Sequence, residues 1–253
     1  MSFCADCPRR NEPRGTRQDD PSGKAVGTRG SLSSALVIIN GFPSKGDCAT
    51  GEVFSGGTGR LLNAALVSNG ANINEAHVIN RVNCYPTSGQ DPTKEQVNAC
   101  ARRFTLDVQA ACSLGHSVLV PIGQLALDSV YTPPKHVGKA LSGWRGYVLD
   151  STYTTRSGEP IYAVPTLDLE TVRKLALKPF PWLQSDIGIA IQLAKGPGGV
   201  RLYEAPVVDV LPSFDALQPN TLLGFDIETL ISTGEVTDIG LATLDAASSK
   251  EWR

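Results

Sequence analysis

Residues 35–70, ALVIINGFPSKGDCATGEVFSGGTGRLLNAALVSNG, decide the fold class of this chain. The apolar run ALVIIN (35–40) predicts a buried strand. In GRLLNAALVSNG (59–70) the apolar residues recur at helical spacing and the segment ends at Asn-Gly, a turn signal. A strand, a glycine-rich loop and a helix in this order are typical of an α/β fold with parallel strands.

The same alternation continues along the chain. Further strands are predicted at HVINRV (77–82), HSVLVPIG (116–123) and PIYAVPT (160–166). Helices are predicted between and after them, at 92–112, 123–131, 168–178 and 181–195. Four strands alternating with helices indicate a mainly parallel four-stranded sheet that is covered on both faces.

The C-terminal part has a different pattern. The prolines of residues 196–220 indicate a linker, and TLLGFDIET (221–229) with VTDIGLATL (236–244) predicts a β-hairpin from an incomplete second domain. Asp226 and Glu228 are two residues apart on a predicted strand, so their carboxylates point to the same face. Such a pair suits binding of Mg²⁺ or Mn²⁺. This segment resembles the first motif of the DnaQ-like 3′–5′ exonucleases of DNA polymerases. The predicted domains are therefore 1–195 and 221–253, within a larger polymerase chain.

Composition limits the class of protein. The chain has 253 residues, 41% of them hydrophobic, and a net charge of −2. It has no apolar run long enough to span a membrane and no signal-peptide core, so we expect a cytoplasmic protein, either a monomer or part of a larger chain. Six cysteines are too few for a disulfide scaffold in a chain of this length, which favours metal or cluster binding.

Four cysteines have the spacing of a metal site. Cys4 and Cys7 form a C-x-x-C, and Cys84 and Cys100 lie close to each other in sequence. Such a set can hold an iron–sulfur cluster or a zinc ion, and spacing alone leaves both open.

Several residues are candidates for nucleic-acid binding. Phe54 is an isolated aromatic in a glycine-rich loop and could stack on a base, or simply anchor the loop. Asn80 ends a strand and could read a pyrimidine edge, or form a turn. Arg173 and Lys174 could contact DNA phosphates, or lie on a solvated helix face.

Taken together, these motifs resemble the iron–sulfur branch of the uracil-DNA glycosylase superfamily over about residues 1–195. The matching segments, in chain order, are Cys4-x-x-Cys7, Asn40-Gly41-Phe42-Pro43-Ser44, Gly51-Glu52-Val53-Phe54-Ser55-Gly56, Gly59-Arg60-Leu61-Leu62, Asn80, Cys84-Tyr85-Pro86, Cys100, Ile122-Gly123-Gln124 and Trp144-Arg145-Gly146. Each segment is weak alone, and the ordered set is specific.

The resemblance implies a three-layer α/β/α domain in which the four cysteines hold a structural 4Fe–4S cluster. It also implies a site for uracil flipped out of single- or double-stranded DNA, with Phe54 stacking on the base and Asn80 reading it. Gly41, Phe42 and Pro43 would line that site. The implied reaction is hydrolysis of the N-glycosidic bond.

Two departures from the family pattern affect the chemistry. Gly41 stands where the family often has an acid, and Asp168 stands where it has a histidine that donates to the departing base. An ionised carboxylate cannot donate and would repel the developing anion. Asp168 and Asn80 are the remaining catalytic candidates, so weak or absent uracil excision is expected slightly ahead of full activity. The alternative is a degenerate fold that serves as a DNA- or uracil-binding module of a polymerase.

Overall fold

The structure is a computed structural model that describes residues 25–86, 91–113, 118–133 and 140–196, together with the backbone of three strands between residues 222 and 252. The chain divides into two compact units, Met1–Val200 and Arg201–Arg253, and each is described by itself. No helix within the described residues is both long and apolar enough to cross a membrane.

Strands and helices alternate in the first unit. The strands are β1 (Leu36–Asn40), β2 (His77–Asn80), β3 (Val118–Ile122), β4 (Leu149–Thr154) and β5 (Pro160–Ala163). The α-helices are α1 (Lys45–Thr50), α2 (Gly57–Val67), α3 (Lys94–Cys112), α4 (Gln124–Leu127), α5 (Leu169–Lys174) and α6 (Phe180–Ala194). Short 3₁₀ turns lie at Ile73–Glu75 and Leu141–Gly143.

The sheet has the order β2-β1-β3-β5-β4. The four predicted strands β1, β2, β3 and β5 run parallel, and β4 pairs antiparallel with β5. The predicted α/β class is confirmed, but the sheet has five strands rather than four. Strand β4, LDSTYT, was missed because it forms the sheet edge and has no apolar run, only an alternation that begins at the buried Leu149.

Helices cover both faces of this sheet. Alternate residues of β1 face opposite sides, with Leu36 and Ile38 in one core and Val37 and Ile39 in the other. The first core is completed by α2 and α6 through Leu62, Leu66, Leu183 and Ile187, and the second by α3 through Phe104 and Val108. The predicted three-layer arrangement is therefore confirmed, with one apolar core on each side of the sheet.

The second unit is an antiparallel sheet of β6 (Leu222–Thr229), β7 (Val236–Asp245) and β8 (Ser248–Trp252) in sequence order. The predicted hairpin corresponds to β6 and β7, whose register pairs Asp226 with Gly240 and Glu228 with Asp238. Strand β8 extends it by a third strand.

Candidate functional site

The carboxyl ends of the parallel strands form the candidate site. Asn40 at the end of β1 is in register with Asn80 of β2 on one side and with Ile122 of β3 on the other. The loop after β5 joins the same edge, because the amide of Gly123 donates to the carbonyl of Thr166 at 3.0 Å. Ligands of open α/β sheets bind outside such an edge.

Asn80 is the most informative residue of this edge. It is fully buried, although its side chain is polar. Its Oδ1 accepts a hydrogen bond from Nδ2 of Asn40 at 2.9 Å. Among the described residues, Nδ2 of Asn80 has no hydrogen-bond partner. Leaving a buried amide donor unpaired costs about 1–3 kcal/mol, so this side chain is a candidate for ligand binding.

Helix α3 holds the backbone of Asn80 from outside the sheet. Arg103 of α3 donates from Nη2 to the carbonyl oxygen of Asn80 and from Nη1 to the carboxylate of Asp107 one turn further on. The helix that carries Cys100 is therefore linked directly to the base-reading candidate. Sequence reasoning missed Arg103, since nothing local distinguishes it from the adjacent Arg102.

Phe54 has a backbone conformation that residues other than glycine rarely adopt. Its φ angle is 57°, in the left-handed region, and the residue is buried against the first core. Such a backbone is retained only where the surroundings determine it. Helix α2 packs directly against this backbone, because a Cβ placed on Gly59 would lie 1.7 Å from the Phe54 carbonyl oxygen.

The carboxylate of Asp47 ties the two ends of the Phe54 loop together. It is buried, accepts from the amide of Ser44 at 2.9 Å, and accepts from the amide and hydroxyl of Ser55 at 2.8 and 2.9 Å. Ser55 directly follows Phe54, so Asp47 holds the aromatic candidate in place. The Ser44-x-x-Asp47 capping pattern at the start of α1 was the available signal for this residue.

We predict that Gly59→Ala destabilises the domain by at least about 1–3 kcal/mol, because the added methyl must displace the Phe54 backbone. Gly57→Ala is the matched control on the first turn of α2. Its Cβ would meet only Arg60 Nη2, at 3.8 Å, so no loss of stability is expected. Urea denaturation of both variants checks this, and equal midpoints would show that Phe54 is not held by α2.

The residues predicted to line the base site follow β1. Gly41 and Pro43 are buried, and Phe42 is half-buried. The carbonyl of Gly41 accepts from the amide of Val82, which continues the pairing of the β1 and β2 ends. A Cβ on Gly41 would make only ordinary contacts with Leu125, at 3.6 Å or more, so space does not demand a glycine at this position.

Asp168 has a structural role in addition to its place among the catalytic candidates. It is the N-cap of α5, and its Oδ1 accepts from the amide of Thr171 at 2.9 Å. Its side chain is exposed, and Oδ2 would lie 3.5 Å from a Cβ placed on Gly123. The structure thus places Asp168 beside the carboxyl end of β3 as an acceptor that caps a helix.

A buried polar network supports the loop before Asp168. The hydroxyl of Thr166 donates to Oδ2 of Asp186 at 2.8 Å, and Arg145 Nη2 lies 3.1 Å from Oδ1 of the same carboxylate. Arg145 also stacks over the ring of Trp182 at 5.0 Å. Asp186, on α6, was not a candidate in the sequence, because a lone acid on an apolar helix gives no indication of its partners.

The network predicts a pH dependence of stability. Burial raises the pKa of Asp186, against the opposing hydrogen bond from Thr166 and the charge of Arg145. The native state then binds this proton more readily than the unfolded chain, so the unfolding free energy falls as pH rises from about 4 towards the native pKa. We predict that this fall is reduced in Asp186→Asn. Urea denaturation at several pH values measures the unfolding free energy of both proteins. An equal fall in the wild type and in Asp186→Asn across this range would contradict the prediction.

The two candidates for phosphate contact, Arg173 and Lys174, are both exposed, and Arg173 is already paired with a carboxylate. Arg173 is exposed, but its guanidinium donates from Nε to Glu170 at 2.9 Å and from Nη2 to the same carboxylate. The hydrogen bond with Glu170 raises the pKa of Arg173. Lys174 is exposed at the end of α5. A phosphate would have to compete with Glu170 for Arg173 and would meet Lys174 directly.

Two of the four predicted ligand cysteines are described, and Cys4 and Cys7 lie outside the described residues. Cys84 and Cys100 are both half-buried. Burial lowers the pKa of Arg81. Its Nη1 donates to the carbonyl of Val97 at 2.9 Å, three residues before Cys100 on α3. Ala25, the first residue that the structure describes, forms an antiparallel bridge with Cys84. Within the described ranges no three His, Cys, Asp or Glu residues form a metal-binding group.

Comparison with known proteins agrees with this geometry. Residues 28–174, more than half of the chain, match the sequence model of the uracil DNA glycosylase superfamily. A Type-4 uracil-DNA glycosylase of Archaeoglobus fulgidus is 26% identical over 102 residues, which cover 40% of this chain and 50% of that protein. The Thermotoga maritima protein of the same name is 28% identical over 99 residues, 39% of this chain and 50% of its own.

A third Type-4 uracil-DNA glycosylase, from Pyrobaculum aerophilum, is 30% identical over 76 residues, which are 30% of this chain and 39% of that protein. The matched region thus spans about half the length of these curated relatives, or less. The family match itself extends from the segment before β1 to the end of α5, and so includes the whole Asn40–Asn80 edge. With its fold, its site and this match, the chain belongs to the uracil-DNA glycosylase superfamily.

Proposed function

We propose that this domain recognises uracil extruded from DNA and hydrolyses its glycosidic bond slowly. The observation that carries the proposal is the buried Asn80 amide, whose Nδ2 lacks a partner among the described residues. A pyrimidine that enters the carboxyl edge of the sheet would supply an acceptor for this donor. The curated relatives are named as uracil-DNA glycosylases, which agrees with this chemistry.

The hydrogen-bonding edge of uracil matches the Asn80 side chain. Uracil carries an O4 acceptor next to an N3–H donor, whereas cytosine carries an amino group and an unprotonated nitrogen at these places. Nδ2 of Asn80 can donate to O4, and the second lone pair of Oδ1 can accept from N3–H. Stacking on the ring of Phe54 would add about 1–3 kcal/mol without selecting a base.

Slow hydrolysis follows from the residues that surround this edge. The transition state has an oxocarbenium-like sugar and a departing uracil anion, so it needs donors or a cation near the base and an activated water. Gly41 has no side chain that could activate water. Asp168 is negatively charged when it caps α5 and would oppose the charge that develops on the base. Asn80 remains as the donor to that anion.

The second candidate function is a uracil-binding module without catalysis. The capping hydrogen bond of Asp168 favours it, because this residue has a structural use that does not require chemistry. Both candidates share the recognition step and differ only in release of the base.

A single-turnover assay of uracil release from single-stranded DNA separates the two candidates. Slow release by the wild type is expected, and release should accelerate in Asp168→Asn. Asparagine caps a helix about as well as aspartate but has no charge, so the fold is kept while the repulsion is removed. No release by either protein at enzyme excess would leave only the binding module.

We also propose that Cys4, Cys7, Cys84 and Cys100 hold a 4Fe–4S cluster. The Ala25–Cys84 bridge supports this proposal. It places Ala25, which follows Cys4 and Cys7 in the chain, beside one of the two cysteines that they would have to approach. The cationic Arg81, which donates to the Val97 carbonyl three residues before Cys100, suits a site of anionic thiolates. When bound, the cluster would cross-link the segment of Cys4 and Cys7 to Cys84 and to α3. A zinc ion in the same four thiolates is the alternative, and metal analysis decides between them.

The second unit carries a separate proposal. Asp226 and Glu228 stand two residues apart on β6, where they would supply part of a Mg²⁺ or Mn²⁺ site of an exonuclease domain linked to a polymerase. Their side chains lie outside the described residues. Calorimetric titration with Mn²⁺ tests this, and binding that is unchanged in Asp226→Ala would contradict it.

A further inference from the structure

We propose that Asn40 sets the orientation of the Asn80 amide and thereby selects uracil over cytosine. Asn40 acts here as a positioning residue, since it contacts Asn80 rather than the base. The inference deepens the proposed function and rests on it.

The orientation of the Asn80 amide follows from the backbone carbonyl of Phe42. A backbone carbonyl can only accept, and the Asn40 side-chain atom that lies 2.7 Å from the Phe42 carbonyl oxygen must therefore be the amide nitrogen. The same nitrogen lies 2.9 Å from the Asn80 side chain, so the Asn80 atom that faces it must be the oxygen. The nitrogen of Asn80 is then the atom left for a ligand.

The backbone keeps these three groups together. Asn40 and Asn80 are directly paired in the parallel register of β1 and β2, so their side chains are close neighbours at the sheet edge. The chain then turns at Gly41, whose carbonyl accepts from the amide of Val82 at 3.0 Å, and this places the Phe42 carbonyl against Asn40. The orientation is thus built into the turn before any base arrives.

Base preference depends on which amide atom faces the ligand. With Nδ2 free, Asn80 presents a donor to the acceptor O4 of uracil. If the Asn80 amide turned over, it would present Oδ1 instead, which matches the amino group of cytosine. The turned amide would also place an NH₂ group against the NH₂ of Asn40, so the bond between the two side chains would be lost.

The test uses oligonucleotides that carry 2′-fluorinated deoxyuridine or deoxycytidine, in which the fluorine resists cleavage and isolates binding. The wild type is expected to bind the uracil strand more tightly. Asn40→Ala should reduce the ratio of the two dissociation constants by about tenfold, the value of one hydrogen bond of about 1.4 kcal/mol. Asn40→Asp should reduce it further, since a carboxylate accepts from Nδ2 and favours the turned amide.

Two results would overturn the inference, and they are distinguishable. A wild type that binds both strands equally would remove the proposed uracil recognition as well. A wild type that prefers uracil, with an unchanged ratio in a folded Asn40→Ala, would overturn the role of Asn40 alone.

Discussion

Replacing Asn80 by alanine is expected to lower the rate of uracil release by about 10²–10³-fold, the usual effect of removing a donor to a developing anion. The preference for uracil in binding should be lost with it. The reason is that Nδ2 of Asn80 is a buried donor without a partner among the described residues, placed at the carboxyl edge of the sheet. Single-turnover release and binding of the fluorinated strands provide the two measurements.

The matched control is Asn98→Ala, which removes the same side chain from an exposed position on α3. It should leave both measurements unchanged. Circular dichroism is needed for Asn80→Ala, since the change also removes the acceptor for Asn40. Unaltered uracil binding in a folded Asn80→Ala protein would mean that another residue reads the base.

Replacing Cys84 or Cys100 by serine is expected to remove the visible absorbance of the cluster and to destabilise the domain. Loss of a structural metal site removes its binding free energy from folding, so a decrease in melting temperature of about 10 °C or more is expected. Iron and sulfide analysis, with thermal denaturation, measures both effects.

Cys112→Ala provides the comparison for this experiment. Cys112 is a buried core residue on the same helix as Cys100, and it is outside the proposed ligand set. It should cost some packing energy while iron content stays unchanged. Stoichiometric zinc in place of iron, or full iron in Cys84→Ser, would contradict the cluster proposal.

The central strands were predictable because they are apolar and short. ALVIIN and HSVLVPIG contain β1 and β3, buried on both faces, and such runs are visible without any partner. The position of Asn80 at the end of β2 followed from the same pattern, since the carboxyl ends of parallel strands share one edge. Strand β4 shows the limit, because an edge strand with polar residues on one face resembles a loop.

Two contacts of Asn80 were not predictable, since each joins segments far apart in sequence. Asn40 was quoted only as part of a motif, and its bond to Asn80 depends on the β1–β2 register. Arg103 acts on the Asn80 carbonyl from α3. The N-cap role of Asp168 is the exception, because an aspartate directly before a helix is a local signal for capping. The comparison of Asp168 with the family's histidine did not take this capping signal into account.

The most direct test of uracil recognition is the affinity of the wild-type protein for strands that differ in a single uncleavable base. Fluorinated deoxyuridine, deoxycytidine and thymidine would be placed in one single-stranded sequence, so that phosphate contacts are the same in all three. We predict that the uracil strand binds at least about tenfold more tightly than the cytosine strand, as expected for one matched hydrogen bond to a buried donor. Equal affinity for uracil and cytosine would contradict it.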